Sequence, residues 1–214
     1  MSDPASDQDR FFSELKAGYP ALSDIVLKAA ATIPRGTFIP VTGARPYGYG
    51  AIPIDCGEVM PDAATAIRLV DALELKPEHR VLEIGTGSGY VTALLARMAL
   101  HVTSLDRFRR LLAKAEVALQ RAEVTNVSLF LSDGSEGYPD GAPYDRVVIH
   151  SAFPAPPRIF LDQMAQQSLL VCAVGGEGEA QTLVRLQKVG ARFERRDLWS
   201  VRYQRIGAGI AKAL

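Results

Sequence analysis

A run of glycines beside an acid is the part of the sequence whose spacing most directly suggests chemistry. Within residues 81–90, VLEIGTGSGY, an apolar run that contains Glu83 is followed by Gly85, Gly87 and Gly89. Glycine adopts positive φ angles without strain and lets the backbone touch a ligand with no Cβ in between. The pattern therefore predicts a turn that binds a small molecule through its backbone.

The neighbouring residues argue against two common kinds of glycine-rich loop. The dinucleotide fingerprint has its third glycine at the position of Tyr90, which argues against a nicotinamide cofactor. The phosphate-binding loop of nucleoside triphosphatases requires a lysine followed by serine or threonine, and this stretch lacks that pair. We therefore expect neither a dinucleotide nor a nucleoside triphosphate.

Polar residues at later strand ends suggest what the ligand is instead. Asp106 ends the next apolar run about twenty residues after the turn, where a carboxylate can bind both hydroxyls of a ribose. Asp133 with Gly134 follows the third run, and His150 with Ser151 closes the fourth. Together these positions predict a nucleoside pocket. The alternative is that the acids only cap the helices that follow them.

The elements that must position these residues alternate between strand and helix. Apolar runs predict five strands over residues 80–85, 101–106, 127–132, 144–151 and 168–175. Helical spacing predicts helices over residues 91–98, 108–122 and 157–166. The alternation predicts an α/β fold with a doubly wound, Rossmann-like, mainly parallel sheet and helices on both faces. Residues 182–190 and 191–203 have no helix between them and should form an antiparallel edge.

The first 75 residues are expected to cover that sheet. After a polar leader of about nine residues, two short helices are predicted over residues 11–19 and 22–33. Residues 36–60 contain many prolines and glycines and predict an irregular or hairpin-like segment, in which residues 46–60 are the candidate lid, and a further helix begins at Pro61. We expect one domain over residues 1–214, with the sheet core from residue 76.

Composition limits the partners and the location. Lysine plus arginine equals aspartate plus glutamate at 24 each, so no net field attracts nucleic acid or an anionic membrane. The polar, acidic opening and the absence of a long apolar run predict a cytoplasmic protein. Cys56 and Cys172 stand in apolar surroundings and are expected to be buried thiols, and no metal site is expected.

The motifs taken together resemble a known family. VLEIGTGSGY, SLDR, LSDGSEGYPDGAPYD and SAFPAPP, with PRGTFIP and AIPIDCGE before them, are similar to class I S-adenosylmethionine methyltransferases and in particular to protein-L-isoaspartate O-methyltransferases. The similarity covers nearly the whole chain. It implies S-adenosyl-L-methionine as cofactor and, as substrate, a carboxylate of a damaged, isoaspartyl protein or peptide.

The resemblance also implies roles for particular residues. Those implied to form the cofactor pocket are Glu83, Gly85, Thr86, Gly87, Ser88, Gly89, Asp106, Arg107, Asp133, Gly134 and Ser151. Glu83 and the glycines would shape the methionine side. Asp106 would hold the ribose with Arg107 beside it, and Asp133 with Gly134 would border the adenine.

The lid departs from the family pattern. Where the family ordinarily reads Gly, Gln, Thr, Ile, Ser, this chain has Gly57, Glu58, Val59, Met60 and Pro61. Proline has neither a hydroxyl nor an N–H to offer a substrate carboxylate.

The acceptor side is therefore less well defined than the cofactor side. Its candidate residues are Val59, Met60, Pro61 and His150, the last in place of a family threonine. The alternatives are a methyltransferase with another acceptor, including a small molecule, and a noncatalytic homologue that binds the cofactor. A carboxylate acceptor needs no strong base because it is ionised at neutral pH.

Overall fold

The fold is described from a computed structural model, which covers residues 4–40, 43–176 and 179–211. In these residues the α-helices are α1 (Pro4–Gly18), α2 (Asp24–Ala31), α3 (Ala63–Asp71), α4 (Tyr90–Ala96) and α5 (Arg109–Arg121). The strands are β1 (Ile52–Pro53), β2 (Val59–Met60), β3 (Arg80–Ile84), β4 (His101–Asp106), β5 (Val127–Leu131), β6 (Tyr144–Phe153), β7 (Met164–Val174), β8 (Gln181–Val189) and β9 (Arg192–Val201).

Seven strands form one sheet in the order β5-β4-β3-β6-β7-β8-β9. The pairs from β5 through to β7 are parallel, and β8 and β9 are added antiparallel. The mainly parallel α/β fold with an antiparallel edge is confirmed. The chain runs outward in one direction from β3 and in the other from β6. The topological switch point therefore lies between the carboxyl ends of β3 and β6.

The two faces of the sheet are covered differently. Alternate strand residues such as Val81, Val102 and Val148 share one apolar cluster with buried side chains from all five helices. The opposite face, with Leu82 and Leu105, packs against 3-10 turns and loops rather than against α-helices. The sequence pattern predicts α-helices on both faces, whereas in the described residues 3-10 turns and loops cover this second face.

The helix predicted over residues 157–166 is a 3-10 helix, Arg158–Gln163, followed directly by β7. Its last residue, Gln163, is buried and accepts a hydrogen bond from the Tyr138 N–H (2.8 Å) while donating to the carbonyl of Glu136 (2.6 Å). The side chain is thus used to hold the preceding loop, and the backbone extends into the sheet.

The amino-terminal elements also begin at other places than predicted. Helix α1 starts at Pro4 rather than after a nine-residue leader. Helix α3 starts after Pro61, because Asp62 is its N-cap and accepts hydrogen bonds from the N–H (2.9 Å) and hydroxyl (2.9 Å) of Thr65. In its described residues, 36–40 and 43–60, the irregular segment consists of short 3-10 turns and a hairpin of β1 and β2, as predicted. None of the described helices is long and apolar enough to cross a membrane.

Candidate functional site

A cavity of about 500 Å³ opens at the switch point. Its inner wall is the turn between β3 and α4, from Gly85 to Ser88, which the sequence predicted as the binding turn. The other predicted residues that line it are Asp106, Arg107, Asp133, His150, Ser151, Val59, Met60 and Pro61. Residues predicted to bind the cofactor and residues predicted to contact the methyl acceptor therefore line the same cavity. That volume suits a ligand of nucleoside size.

Glycine is required at the start of the turn. Gly85 has φ +96°, and a Cβ there would lie 3.1 Å from the Cβ of His150. The N–H groups of Gly85 and Thr86 both donate to the carbonyl of Leu105, at 2.8 and 3.1 Å. The turn is thus fixed against the end of β4 and leaves bare backbone facing the cavity.

Three predicted residues lie behind the cavity wall and do not line it. Gly89, with φ +83°, is the N-cap of α4, and a Cβ there would lie 3.2 Å from that of Ala115 in α5. Gly134, with φ +66°, would place a Cβ 2.5 Å from Cγ2 of Ile84. Both glycines permit close packing around the site. The third residue is Glu83.

The carboxylate of Glu83 organises the floor of the site. Its side chain is fully buried and accepts hydrogen bonds from the hydroxyls of Thr92 (2.5 Å) and Ser104 (2.6 Å). It also lies 3.1 Å from Nε2 of His150, whose side chain faces the cavity. Thr86 donates in turn to Ser104 (2.6 Å), since the Ser104 hydroxyl proton is given to Glu83. One buried acid thus joins β3, β4, α4 and β6.

Asp106 ends β4 and lines the cavity. Its carboxylate is nearly buried and accepts hydrogen bonds from the N–H groups of Gly87 (2.9 Å) and Phe108 (2.9 Å). Burial raises the pKa of Asp106, against these two backbone hydrogen bonds, which lower it. A carboxylate has about four acceptor positions, so two remain for a ligand diol.

The carboxylate of Asp133 is largely used within the chain. One oxygen accepts from the N–H and the hydroxyl of Ser135 (2.8 Å each), and the other accepts from the N–H of Gly209 (2.6 Å). Burial acts in the opposite sense, but these hydrogen bonds hold the pKa of Asp133 below its ordinary value. Asp133 therefore anchors the carboxy-terminal segment beside the cavity.

That segment, residues 204–211, is hydrogen-bonded to the rest of the fold at both of its ends. The N–H of Ala152 donates to the carbonyl of Gln204 (2.8 Å), and the N–H of Ala211 donates to the carbonyl of Arg107 (3.1 Å). Gln204, Ile206 and Gly207 line the cavity. The segment thus forms the outer wall next to Arg107 and Asp133.

The lid segment, residues 46–61, forms the opposite wall. It is fastened at both ends by Arg35, which is almost fully buried and donates to the carbonyls of Pro46 (2.6 Å) and Pro61 (2.6 Å). The Arg35 guanidinium also lies 4.2 Å from the centroid of the Tyr90 ring. Sequence reasoning missed this residue, although it stands in the PRGTFIP motif.

A second tether holds the middle of the lid. Asp55 forms ion pairs with Arg110 (3.1 Å) and Lys114, both in α5. The lid is therefore attached at its two ends to Arg35 and, through Asp55 near its middle, to α5.

Glu58, on the lid, lines the cavity near the carboxylate of Asp106. Burial, and secondly the neighbouring Asp106 carboxylate, raise the pKa of Glu58, while Arg107 lowers it. The folded chain thus holds a proton at a pH where the unfolded chain has lost it. The stability of the fold must then decrease as pH rises from 4.5, the ordinary value, through the raised pKa.

We predict that Glu58→Gln flattens this pH dependence, because glutamine cannot ionise. The melting temperature of the variant should rise relative to that of the unchanged protein as pH increases above 4.5, the ordinary glutamate pKa. Thermal unfolding across a pH series measures the effect, with exposed Glu116→Gln in α5 as the matched control. Identical pH profiles for the Glu58 variant and the unchanged protein would contradict the prediction.

Comparisons with known proteins agree with this geometry. A Plasmodium falciparum protein-L-isoaspartate O-methyltransferase family member, solved with S-adenosyl-L-homocysteine, has a TM-score of 0.79 at 20% identity, covering 92% of this chain and 97% of that one. A second solved protein-L-isoaspartate O-methyltransferase has a TM-score of 0.82 at 22% identity, covering 95% of this chain and 67% of that one. The chain therefore has the Rossmann-like fold of these two structures.

Sequence similarity places the chain more narrowly. The family model for protein-L-isoaspartate(D-aspartate) O-methyltransferase matches residues 6–210. A relative of that name from Azorhizobium caulinodans is 40% identical over 190 residues, 88% of each chain. Another from a Bradyrhizobium strain is 33% identical over 213 residues, 99% of each chain. The chain belongs to the protein-L-isoaspartate O-methyltransferase family, and the predicted class, an S-adenosylmethionine-dependent methyltransferase, is confirmed.

Proposed function

We propose that this chain transfers the methyl group of S-adenosyl-L-methionine to the carboxylate of an isoaspartyl residue in a protein or peptide. The observation that carries the proposal is the single cavity in which the strand-end carboxylate of Asp106 and the bare turn from Gly85 face the lid residues Val59 to Pro61. A cytoplasmic location and the absence of nucleic-acid and membrane partners stay predictions.

The residues present fit the cofactor. The diol of the ribose would bind the free acceptor positions of Asp106, with Arg107 beside it. The backbone from Gly85 to Ser88 would border the methionine side, and Ser151 would close that end. When bound, the cofactor supplies an electrophilic methyl group.

Asp133 and Gly134 are assigned a border on the adenine side. Asp133 would act there mainly by holding the carboxy-terminal segment through Gly209, because its oxygens are already hydrogen-bonded. Gly134 would act by allowing the loop to pack against Ile84. Gly89 and Glu83 likewise support the turn from behind.

The acceptor carboxylate is already ionised at neutral pH, so the chain has to position it and exclude water. The lid performs both tasks, because Met60 is buried against the cavity and Pro61 is held by Arg35. Pro61 itself donates no hydrogen bond. We assign His150 a positioning role, since its Nε2 is paired with Glu83.

The direct test is methyl transfer from radiolabelled S-adenosylmethionine to an isoaspartyl peptide, compared with the same peptide carrying an ordinary aspartate. We expect label in the isoaspartyl peptide alone, as a base-labile methyl ester. Clear binding of S-adenosylhomocysteine without any label in the peptide would contradict the proposed acceptor and favour a noncatalytic homologue or another acceptor.

A further inference from the structure

The cavity extends beyond the lid along one face of α3. Asp62, Thr65 and Arg68 follow one another at helical spacing and all line it. The facing wall at this end is the end of β9 and the residues after it, from Trp199 to Tyr203. The cofactor and the lid lie at the other end, so this extension is placed to receive the part of a substrate next to the reacting residue.

Arg68 is held in this extension by two aromatic rings. Its Cζ lies 4.2 Å from the centroid of the Tyr19 ring and 4.1 Å from that of the Trp199 ring. Nη1 donates to the Tyr19 hydroxyl at 3.2 Å. Rings that lie over a guanidinium leave its in-plane N–H groups as the groups available to a ligand, and two of these match a carboxylate.

No carboxylate of the described residues satisfies this cation: none lies within 4.0 Å, the ion-pair distance, of the Arg68 guanidinium. The carboxylate of Asp62, six residues earlier, is the N-cap of α3 and accepts hydrogen bonds from the N–H and the hydroxyl of Thr65. Exposed Arg202 lines the same end. The charged side chains that line this end, Asp62, Arg68 and Arg202, therefore leave a net positive charge, and the Arg68 guanidinium has no ion-pair partner among the described residues.

We propose that Arg68 binds a second carboxylate on the protein substrate, close in sequence to the residue that is methylated. The inference rests on the proposed function, since it assigns a second contact to the same acceptor. Asp62 and Arg68 are six residues apart, which is about 9 Å along a helix. An extended peptide covers that distance in about three residues. The recognised group is an acidic side chain or a chain terminus about three residues from the isoaspartyl residue.

Trp199 supplies a local readout, because it is the one tryptophan of the chain and its ring lies on Arg68. Protein loaded with S-adenosylhomocysteine is titrated with tryptophan-free isoaspartyl peptides that carry glutamate or glutamine three residues to either side. We expect one glutamate peptide to change Trp199 emission and to bind about tenfold more tightly than its glutamine match, as a charge-assisted hydrogen-bonded pair allows.

Three variants isolate the guanidinium. Arg68→Met should bind both peptides with the lower affinity, and Arg68→Glu should prefer a lysine peptide. Exposed Arg97→Met, at the end of α4, should keep the preference for glutamate. Circular dichroism melting shows whether each variant folds. Because the Glu variant reverses the preference, a general loss of structure cannot produce the expected pattern.

Methyl transfer to both peptides is measured in parallel. Tighter binding of the glutamate peptide without transfer to either peptide refutes the proposed function and supports Arg68 as an anion-binding residue. Equal affinities, no binding of either peptide, or a glutamate preference that survives in Arg68→Met would overturn the inference, whatever the turnover.

Discussion

Replacing Asp106 with alanine is expected to weaken the binding of S-adenosylhomocysteine at least about 100-fold, which corresponds to about 3 kcal/mol. The variant loses an ionised acceptor for two ribose hydroxyls, and hydrogen bonds to a charged group contribute about 1.5–3 kcal/mol each. It also frees the N–H of Gly87, which donates to Asp106 at 2.9 Å, so the turn itself is less well held.

Isothermal titration calorimetry with S-adenosylhomocysteine measures this affinity directly. Asp140→Ala, at an exposed position in the loop before β6, is the matched control and should bind as the unchanged protein does. Asp133→Ala should fall between the two, because its oxygens are bonded within the chain. Equal affinities for the Asp106 variant and the unchanged protein would contradict the assignment of Asp106 to the ribose.

Replacing Arg35 with methionine is expected to lower kcat/KM for the methyl acceptor about 100-fold, since a misplacement of about 1 Å can cost that much. Arg35 donates to carbonyls at both ends of the lid, at Pro46 and Pro61. Without it, the lid is held by Asp55 alone among the tethers described above, and two partly buried carbonyls lose their donor.

The effect of Arg35 should be separable from cofactor binding. Affinity for S-adenosylhomocysteine should change far less than turnover, because the turn from Gly85 and Asp106 are held by other contacts. Arg35→Lys should recover only part of the activity, since one ammonium lacks the fork of the guanidinium. Arg45→Met, at an exposed position just before the lid, is the control. Turnover within twofold of the unchanged protein in Arg35→Met would refute a role for the fastening.

The positions of the predicted cofactor-pocket residues along the cavity could be inferred from the sequence, because the patterns that reveal them are local. Gly85 and Gly87 stand at fixed distances from an apolar strand, and Asp106 ends the next strand. In a parallel sheet such positions meet at one edge whatever the details of packing. The same rule brought His150 and Ser151 to the cavity.

The residues missed by sequence reasoning act through distant backbone atoms or aromatic faces. Arg35 binds carbonyls 11 and 26 residues away, and carbonyl groups carry no signal of residue type. Arg68 lies against rings from α1's end and β9, which only the tertiary fold brings together. The short 3-10 helix over residues 158–163 was missed for a related reason, because the side chain that ends it serves a loop elsewhere.

We propose that the bare turn from Gly85 and the carboxylate of Asp106 hold the adenosyl group of the cofactor, with the cofactor's sulfur atom facing the lid. A crystal structure of the protein with S-adenosylhomocysteine tests it most directly. We predict both ribose hydroxyls within hydrogen-bond distance of Asp106 and the sulfur atom directed toward residues 58–61. A ribose that makes no contact with Asp106, or a ligand bound outside this cavity, would contradict the proposed binding mode.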